Sequence, residues 1–353
     1  MKHANRLLCA ASISALAALG ATPAYAAGTT AGATITNTVS VNFQVGGVSQ
    51  TAQTASNSVI VDRKVNLTIV NVGTTTSVSP GQTAAVTTFQ VTNSSNDTLD
   101  LSLAALNQAG GTAAHGGTDV IDVSNFKYYA DTNSNGVYDA GTDTQITWLD
   151  EVAADATKTV FVVSDVPITA TNGQVAGIVL TARAEASGTA GTQGALLTAT
   201  AGANTAGVDT VFADGAGATD SANDGAYSVK GDYTIAAALL TVTKQSKLIS
   251  DPVNGTTNPK AIPGAVMEYC IVVANGAGAA TSTNLSISDP LPATVTYSAA
   301  YGIFLNGTVT AGVCNADGSA GGTYTAGTTT VSGPLANLTA GSTETLRFRV
   351  TIN

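Results

Sequence analysis

Histidine, lysine and arginine are scarce in this sequence. It has two histidines and 13 Lys or Arg against 23 Asp or Glu in 353 residues. So few cations cannot neutralise many phosphates, which makes nucleic acid a poor partner. A Ser-His-Asp triad would have to use His115, in the Gly/Ala-rich loop 110–117, and no Gly-x-Ser-x-Gly motif accompanies it. We therefore expect a protein that is not an enzyme; paired carboxylates for glycoside hydrolysis are the alternative left open.

A long uncharged apolar run occurs only at the N-terminus, in residues 7–19. Lys2 and Arg6 precede it, and Ala24-Tyr25-Ala26 follows with small residues at the positions that a signal peptidase reads. We interpret residues 1–26 as a cleaved signal peptide for Sec-type export to the cell surface or the extracellular space. The alternative, a membrane anchor, is disfavoured because a spanning helix needs about 20 apolar residues. Cleavage changes the formal net charge from −10 to −12.

Cysteine is also rare, and one of the three cysteines, Cys9, lies in the leader. The remaining two, Cys270 and Cys314, form an even set in an exported chain, which favours a disulfide. Two buried or free thiols are the alternative. No zinc signature is present, because these cysteines have no histidine partners at metal-ligand spacing.

The sequence does contain a repeated β-module pattern, a Pro-Gly turn followed by an alternating strand that ends in Asn. Pro80-Gly81 leads through an alternating strand to Asn93, and Pro263-Gly264 leads in the same way to Asn275. Later strands also align, with residues 152–162 matching 338–348. No helical periodicity extends over ten residues, so the fold class is all-β, and the repeated pattern predicts two β-sandwiches in tandem.

We divide the mature chain into four parts. Residues 27–62 form an N-terminal β segment, in which apolar alternation over 35–45 leads to a Gly46-Gly47 hairpin turn. Because a lone strand pair has marginal stability, we expect it to join the first sandwich or a neighbouring molecule. The other parts are a first sandwich at 63–208, an acidic, glycine-rich linker or loop at 209–234, and a second sandwich at 235–353.

Several motifs after residue 235 carry a family resemblance. They are Thr241-Val-Thr-Lys244, Asn258 to Gly264, Glu268-Tyr269, Asn284 and Asp289-Pro-Leu-Pro292. This region resembles the bacterial repeat family catalogued as domain of unknown function eleven, and the first sandwich resembles a diverged relative. The resemblance implies an immunoglobulin-like sandwich in exported cell-surface or matrix proteins. It implies no activity, because fold analogy carries none.

The segment from 131 to 143 has the oxygen spacing of a calcium loop. Calcium needs six or more oxygen ligands, which alternate residues of a tight loop supply around a glycine such as Gly136. The helix-flanked version has Glu at the twelfth position, where this sequence has Thr142. The alternative is an Asx-rich turn without metal. The candidate ligands are Asp131, Asn133, Asn135, the Val137 carbonyl, Asp139 and Asp143, with Asp122 as a further candidate from the preceding strand.

Two other residue sets suggest surface chemistry. Lys244, Glu268 and Asn353 are similar to the Lys–Asn isopeptide crosslink and acid helper of surface modules, although Asn353 is terminal. The aromatic residues Tyr128-Tyr129, Tyr138 and Trp148 cluster around the Asp131 loop and would suit a binding patch.

The function predicted is a non-enzymatic exported structural or adhesive protein of the bacterial cell surface or extracellular matrix, such as a filament or surface-layer subunit. Its partners would be other copies, bound through the N-terminal β segment, or other surface and matrix components. A carbohydrate- or host-protein-binding surface module is the alternative. Beyond the leader we expect no transmembrane span.

Overall fold

A computed structural model describes residues 28–353 of the chain. The signal peptide at 1–26 lies outside these residues. The described residues form 27 β-strands and no helix, so the prediction of an all-β sandwich fold is confirmed. No described helix is long and apolar enough to span a membrane.

The N-terminal segment contains a β-hairpin whose strands pair with each other. Its strands are β1 (Thr34–Val41), β2 (Gln44–Val45), β3 (Val48–Ser49) and β4 (Gln53–Ile60). Gly46 and Gly47 both have positive φ, which the two-residue turn between β2 and β3 requires. β1 and β4 form a separate two-stranded sheet and add no strand to the sheets of the first sandwich, although the Ala31 N–H donates to the Asn96 carbonyl at 3.1 Å. The structure thus does not show the first of the two predicted pairings, and pairing with a neighbouring molecule stays a prediction. β1 and β4 pair with each other over eight residues through their inner edges, so the outer edge of each strand is unpaired among the described residues.

The first sandwich contains two five-stranded sheets. One has the order β11-β10-β13-β8-β6 and the other β12-β9-β14-β16-β7, and a separate two-stranded sheet joins β15 to β5. Their alternating apolar residues enclose one core, centred on Phe89, Leu101 and Tyr233. The strands are β5 (Arg63–Val65), β6 (Leu67–Asn71), β7 (Thr76–Val78), β8 (Ala85–Asn93), β9 (Leu99–Asn107), β10 (Ser124–Ala130), β11 (Thr144–Ile146), β12 (Trp148–Val152), β13 (Thr157–Asp165), β14 (Val175–Ala186), β15 (Thr210–Phe212) and β16 (Ala226–Ile235).

The interpretation of 209–234 as a linker or long loop is wrong. β16 pairs with β14 over nine residues and contributes the fully buried Tyr233, whose hydroxyl bonds Ser164. The acidic residues that suggested a solvated linker instead accept hydrogen bonds at turns. Asp214 is buried and accepts from the backbone N–H of Asp224 and Gly225. The first sandwich therefore extends to Ile235.

The second sandwich is smaller and has its own core. One sheet runs β17-β18-β27-β21-β24 with β20 also on β27, and the facing sheet runs β19-β26-β25. Leu338, Leu346 and Phe348 are fully buried between them. The strands are β17 (Leu240–Ser250), β18 (Val266–Asn275), β19 (Ser286–Pro290), β20 (Val295–Tyr297), β21 (Ile303–Leu305), β22 (Val309–Thr310), β23 (Val313–Cys314), β24 (Ser319–Ala320), β25 (Thr323–Thr325), β26 (Thr330–Pro334) and β27 (Thr343–Ile352).

The repeated asparagines occupy the same structural position in the two sandwiches. The buried Asn93 amide donates to the carbonyl of Val152 at 2.8 Å, and the buried Asn275 amide donates to that of Leu338 at 2.9 Å. Each amide therefore joins the end of the first repeat strand to the residue that opens the later repeat segment. The paired segments that the sequence aligned, 152–162 and 338–348, are thus equivalent in three dimensions.

Candidate functional site

The predicted calcium loop lies between β10 and β11 and is held by its own side chains. The Asp131 carboxylate accepts from the backbone N–H of Asn135 at 3.1 Å and of Gly136 at 2.9 Å. Ser134 and Gly136 both have positive φ, which bends the chain tightly around that carboxylate. The sequence pattern of Asx residues and glycine thus produces a compact turn.

Two further carboxylates brace the same loop. The side-chain amides of Asn133 and Asn135 donate to Asp139 at 2.9 and 2.7 Å, and these bonds hold its pKa below the usual value. Asp143 is buried and accepts from the backbone N–H of Asp139 at 2.7 Å and of Thr132 at 3.1 Å. All three acids therefore stabilise the loop from inside.

This arrangement is that of a hydrogen-bonded Asx turn. The side-chain oxygen of Asn133 accepts from the N–H of Asn135, and that of Asn135 accepts from the N–H of Val137. Within residues 28–353, no three His, Cys, Asp or Glu side chains are grouped closely enough to hold a metal ion. A calcium ion would fit the donor types here, but both amides would have to turn an oxygen inward. Calcium binding stays a prediction.

The aromatic residues near this loop do not form a single patch. Tyr138 packs against Tyr129, with ring centroids 4.9 Å apart, and against Phe161 in the sheet. Trp148 instead borders an open groove of about 330 Å³, together with Gln145 and Asp150. The indole N–H of Trp148 is buried without a hydrogen-bond partner within the described part of the chain.

His115 does not lie free in its loop. Its ring Nδ1 lies 2.9 Å from the carboxylate of Asp232, and its backbone N–H donates to the same carboxylate at 2.7 Å. Asp232 is buried on β16, so the contact attaches the 110–117 loop to the sheet. Sequence reasoning missed the pair because it placed Asp232 in a linker. That the protein is not an enzyme stays a prediction.

The predicted disulfide is present. Cys270 on β18 is bonded to Cys314 on β23, with Cα atoms 5.6 Å apart, and both residues are buried. The bond fastens the 298–320 segment to the outer face of the larger sheet. A disulfide of this kind is consistent with an oxidising, extracellular compartment.

The hypothesised isopeptide residues bind other partners. Lys244 Nζ lies 2.7 Å from Asp289, and Glu268 accepts from Arg349 at 2.9 Å. The side-chain amide of Asn353 donates to the carbonyl of Ala293. The hypothesis of a Lys–Asn crosslink is therefore wrong, because ion pairs and backbone contacts hold these three groups apart.

Two apolar surfaces are exposed in the described part of the chain. One is the hairpin face, defined by the exposed Ile35, Val39, Val41, Ala55 and Val59 on one side of the β1–β4 ladder. The amide side chains of Asn37, Asn57 and Gln53 lie on the same side, so the face is mainly but not wholly apolar. The other is the edge groove, an opening of about 390 Å³ between β17 and β19. Its lining includes Leu240, Val242, Ile271, Val273, Leu285 and Ile287. Alternation in the sequence marks such residues as inward-facing but does not show what covers them.

Comparisons with known proteins do not assign the chain to a family. No family model matches the chain, so the resemblance to domain of unknown function eleven is not confirmed, and no curated protein matches either. One similar solved chain, named BspA_C_WT, is 11% identical with a TM-score of 0.32, covering 82% of this chain and 91% of that one. Another, described as a membrane-anchored protein from Corynebacterium diphtheriae, is 10% identical with a TM-score of 0.20, covering 91% and 89%. Likeness at this level carries no argument about function.

Proposed function

We propose that this chain is a non-enzymatic structural or adhesive protein of the bacterial cell surface or extracellular matrix, which works by assembling with other copies. The observation that carries the proposal is the exposed hairpin face. Clustered exposed apolar side chains are typical of interaction sites in soluble proteins. Here it lies on a strand pair that builds no part of either sandwich core.

The rest of the molecule suits a structural role. Buried acids are bonded to backbone N–H groups at turns, as Asp214 and Asp143 are, so many loops are pinned. The disulfide pins the 298–320 segment. Two sandwiches with pinned loops and a net negative charge form a compact unit that resists proteolysis and stays soluble until it assembles.

Assembly of the mature chain tests this proposal. The chain beginning at Ala27 is purified and its mass is followed by light scattering across its soluble concentration range, with electron microscopy of the largest species. We expect mass to rise with concentration and regular multimers to form. A chain that stays monomeric throughout contradicts the proposal.

A second candidate function, carbohydrate binding, is favoured by the Trp148 groove. The half-buried Trp148 ring, flanked by Gln145 and Asp150, borders the groove and offers an aromatic surface beside polar groups, which suits a sugar ring. A glycan array probed with the mature chain, with and without calcium, and with Trp148→Ala as the matched variant, tests it. Signal that Trp148→Ala abolishes supports binding, and an array without signal contradicts it.

A further inference from the structure

The two sandwiches share a common plan. Three strands run in the same order in one sheet of each sandwich: β13-β8-β6 in the first and β27-β18-β17 in the second. In the facing sheets, β9 pairs with β12 and β19 pairs with β26. The buried asparagines fix the register, since Ile69 and Val242 each pair with the residue two positions before the asparagine.

The first sandwich has two strands that the second does not. β14 pairs with β9 over nine residues, and β16 lies on the far side of β14. β16 also closes the sandwich over β6, where the Asn71 side-chain amide donates to the Lys230 carbonyl at 3.1 Å. Within residues 236–353 no strand lies beside β19 in the place of β14, and none lies over β17 in the place of β16.

Burial at equivalent positions shows the consequence. Leu67 and Ile69 on β6 are 0% and 4% exposed, under β14 and β16. Their equivalents on β17, Leu240 and Val242, are 42% and 65% exposed. The edge groove is therefore the space that β14 and β16 fill in the first sandwich.

Both sides of the edge groove also offer unpaired backbone. β17 and β19 are terminal strands of their sheets among the described residues, so each presents one edge of free N–H and C=O groups. A single ion pair, Lys244 with Asp289, connects these two strands. An apolar groove between two open edges is the setting in which an added strand gains backbone hydrogen bonds and buries side chains together.

The hairpin of the same chain has the shape that this space requires. β14 and β16 form an antiparallel pair over nine residues, and β1 and β4 form an antiparallel pair over eight. The hairpin face would cover the groove, while its opposite face, with Thr36, Thr38 and Ser58, is polar and suits solvent. Residues 28–61 contain no charged side chain, so they meet another copy of this acidic chain without repulsion.

We propose that the edge groove of one copy accepts the β1–β4 hairpin of a second copy, which supplies the strands that β14 and β16 supply in the first sandwich. This proposal rests on the proposed structural function and names the contact through which assembly occurs. Donor and acceptor are different surfaces of one chain, so the interface is heterologous and each added copy leaves one of each free. Such contacts produce open linear assemblies unless the rotation closes a ring.

The test uses two full-length mature variants and a mixture of them. Val39→Lys places a charge on the hairpin face, and Val242→Lys places one in the edge groove. Both positions are more than half exposed, so the monomers should fold, which thermal melts check. Thr38→Lys and Thr241→Lys add the same charge to the opposite face of the same strands as matched controls.

We expect the unmodified chain and both controls to form multimers, and each valine variant alone to remain monomeric. Mixed one to one, the two valine variants should form a complex of two chains and no larger, because only one intact donor and one intact groove meet. Hydrogen exchange should then show protection of the β19 amides in the copy with the intact groove, because β9, the equivalent strand of the first sandwich, pairs with β14.

Other results would distinguish a wrong contact from a wrong function. A Val242→Lys chain that assembles as the unmodified chain does would overturn the proposal, because the hairpin would then be paired with another hairpin or another surface. A mixture that stays monomeric would overturn it as well. Both results would leave the proposed structural function intact. An unmodified chain that never assembles would contradict both the structural function and the hairpin–groove contact.

Discussion

A single side-chain amide stabilises the same corner in each sandwich. Asn93 donates to the carbonyls of Val152 and Asp97, and Asn275 donates to those of Leu338 and Ala280. Both amides are buried, so water cannot replace these bonds. An asparagine therefore ends both β8 and β18 because its side-chain amide supplies the hydrogen bonds that these buried carbonyls need.

Replacing this amide should be costly. Asn93→Ala removes the donor to the carbonyls of Val152, Asp97 and Ala153 and the acceptor of the Ser95 N–H. Because an unpaired buried polar group costs about 1–3 kcal/mol, we expect a loss of about 2–4 kcal/mol in the free energy of unfolding. Urea denaturation measures it, with Asn204→Ala, at an exposed position outside the hairpin, as the control. A loss no larger than that of the control would contradict the role of the corner.

Asp251 should make the second sandwich sensitive to acid. The N–H of Asn254, its side-chain amide, and the N–H groups of Lys260 and Val253 all bond this carboxylate and hold its pKa well below the ordinary 3.8. A lowered folded-state pKa means that the stabilisation is complete above the unfolded pKa and is lost as the pH falls below about 4.

Melting temperatures measured between pH 7 and pH 2 check this expectation. Asp251→Asn should melt lower at neutral pH and show a shallower decline in acid than the unmodified chain. Parallel curves for the two proteins would show that other carboxylates cause the acid sensitivity.

At the scale of elements, the Asp131 loop is a turn that a cation would tighten. We expect millimolar CaCl₂ to raise the melting temperature of the mature chain relative to EDTA, with a dissociation constant of about 10⁻⁴–10⁻³ M, as in weak extracellular sites. Asp131→Ala should remove the effect, and MgCl₂ serves as the salt control, because Mg²⁺ needs tighter octahedral geometry. Equal melting with CaCl₂ and EDTA would leave the loop as a metal-free turn.

Elements differ in how well the sequence predicted them. Strands such as β8 and β18 alternate clearly and follow a Pro-Gly turn, so their positions and equivalence were predictable. β16 was missed because the acids and glycines around it are typical of a solvated linker, although Asp214 and Asp232 are buried and bonded to backbone N–H groups.

The edge groove could not be predicted for a different reason. Leu240 and Val242 alternate with threonine as core residues do, and alternation reports only which way a side chain points. Whether another strand covers them depends on residues far away in the chain. The β1–β4 hairpin turn was predictable from Gly46-Gly47, whereas the isolation of that hairpin from the first sandwich was not.

For the whole molecule, two separate cores imply two unfolding transitions. The hydrophobic cluster of the first sandwich contains no cysteine, whereas Cys270 and Cys314 close a 44-residue separation in the second. Chain-entropy arguments assign about 4 kcal/mol to a loop of this length. We expect reduction, or the Cys270→Ala/Cys314→Ala double variant, to lower one calorimetric transition and leave the other in place. A shift of both transitions together would show that the sandwiches unfold as one unit.

The absence of charge in the hairpin has a practical consequence for proteolysis. Trypsin cuts after lysine and arginine, and the stretch from Gly28 to Asp62 offers neither, so the hairpin leaves a tryptic digest in one piece that ends at Arg63. Chymotrypsin, by contrast, can cut at the exposed Phe43 near the hairpin tip. The tryptic peptide gives the total amount of hairpin, whether docked or free. Chymotryptic cleavage at Phe43 gives the fraction whose tip is accessible. Mass spectrometry of the two digests therefore measures, without a label, the fraction of hairpins that are docked.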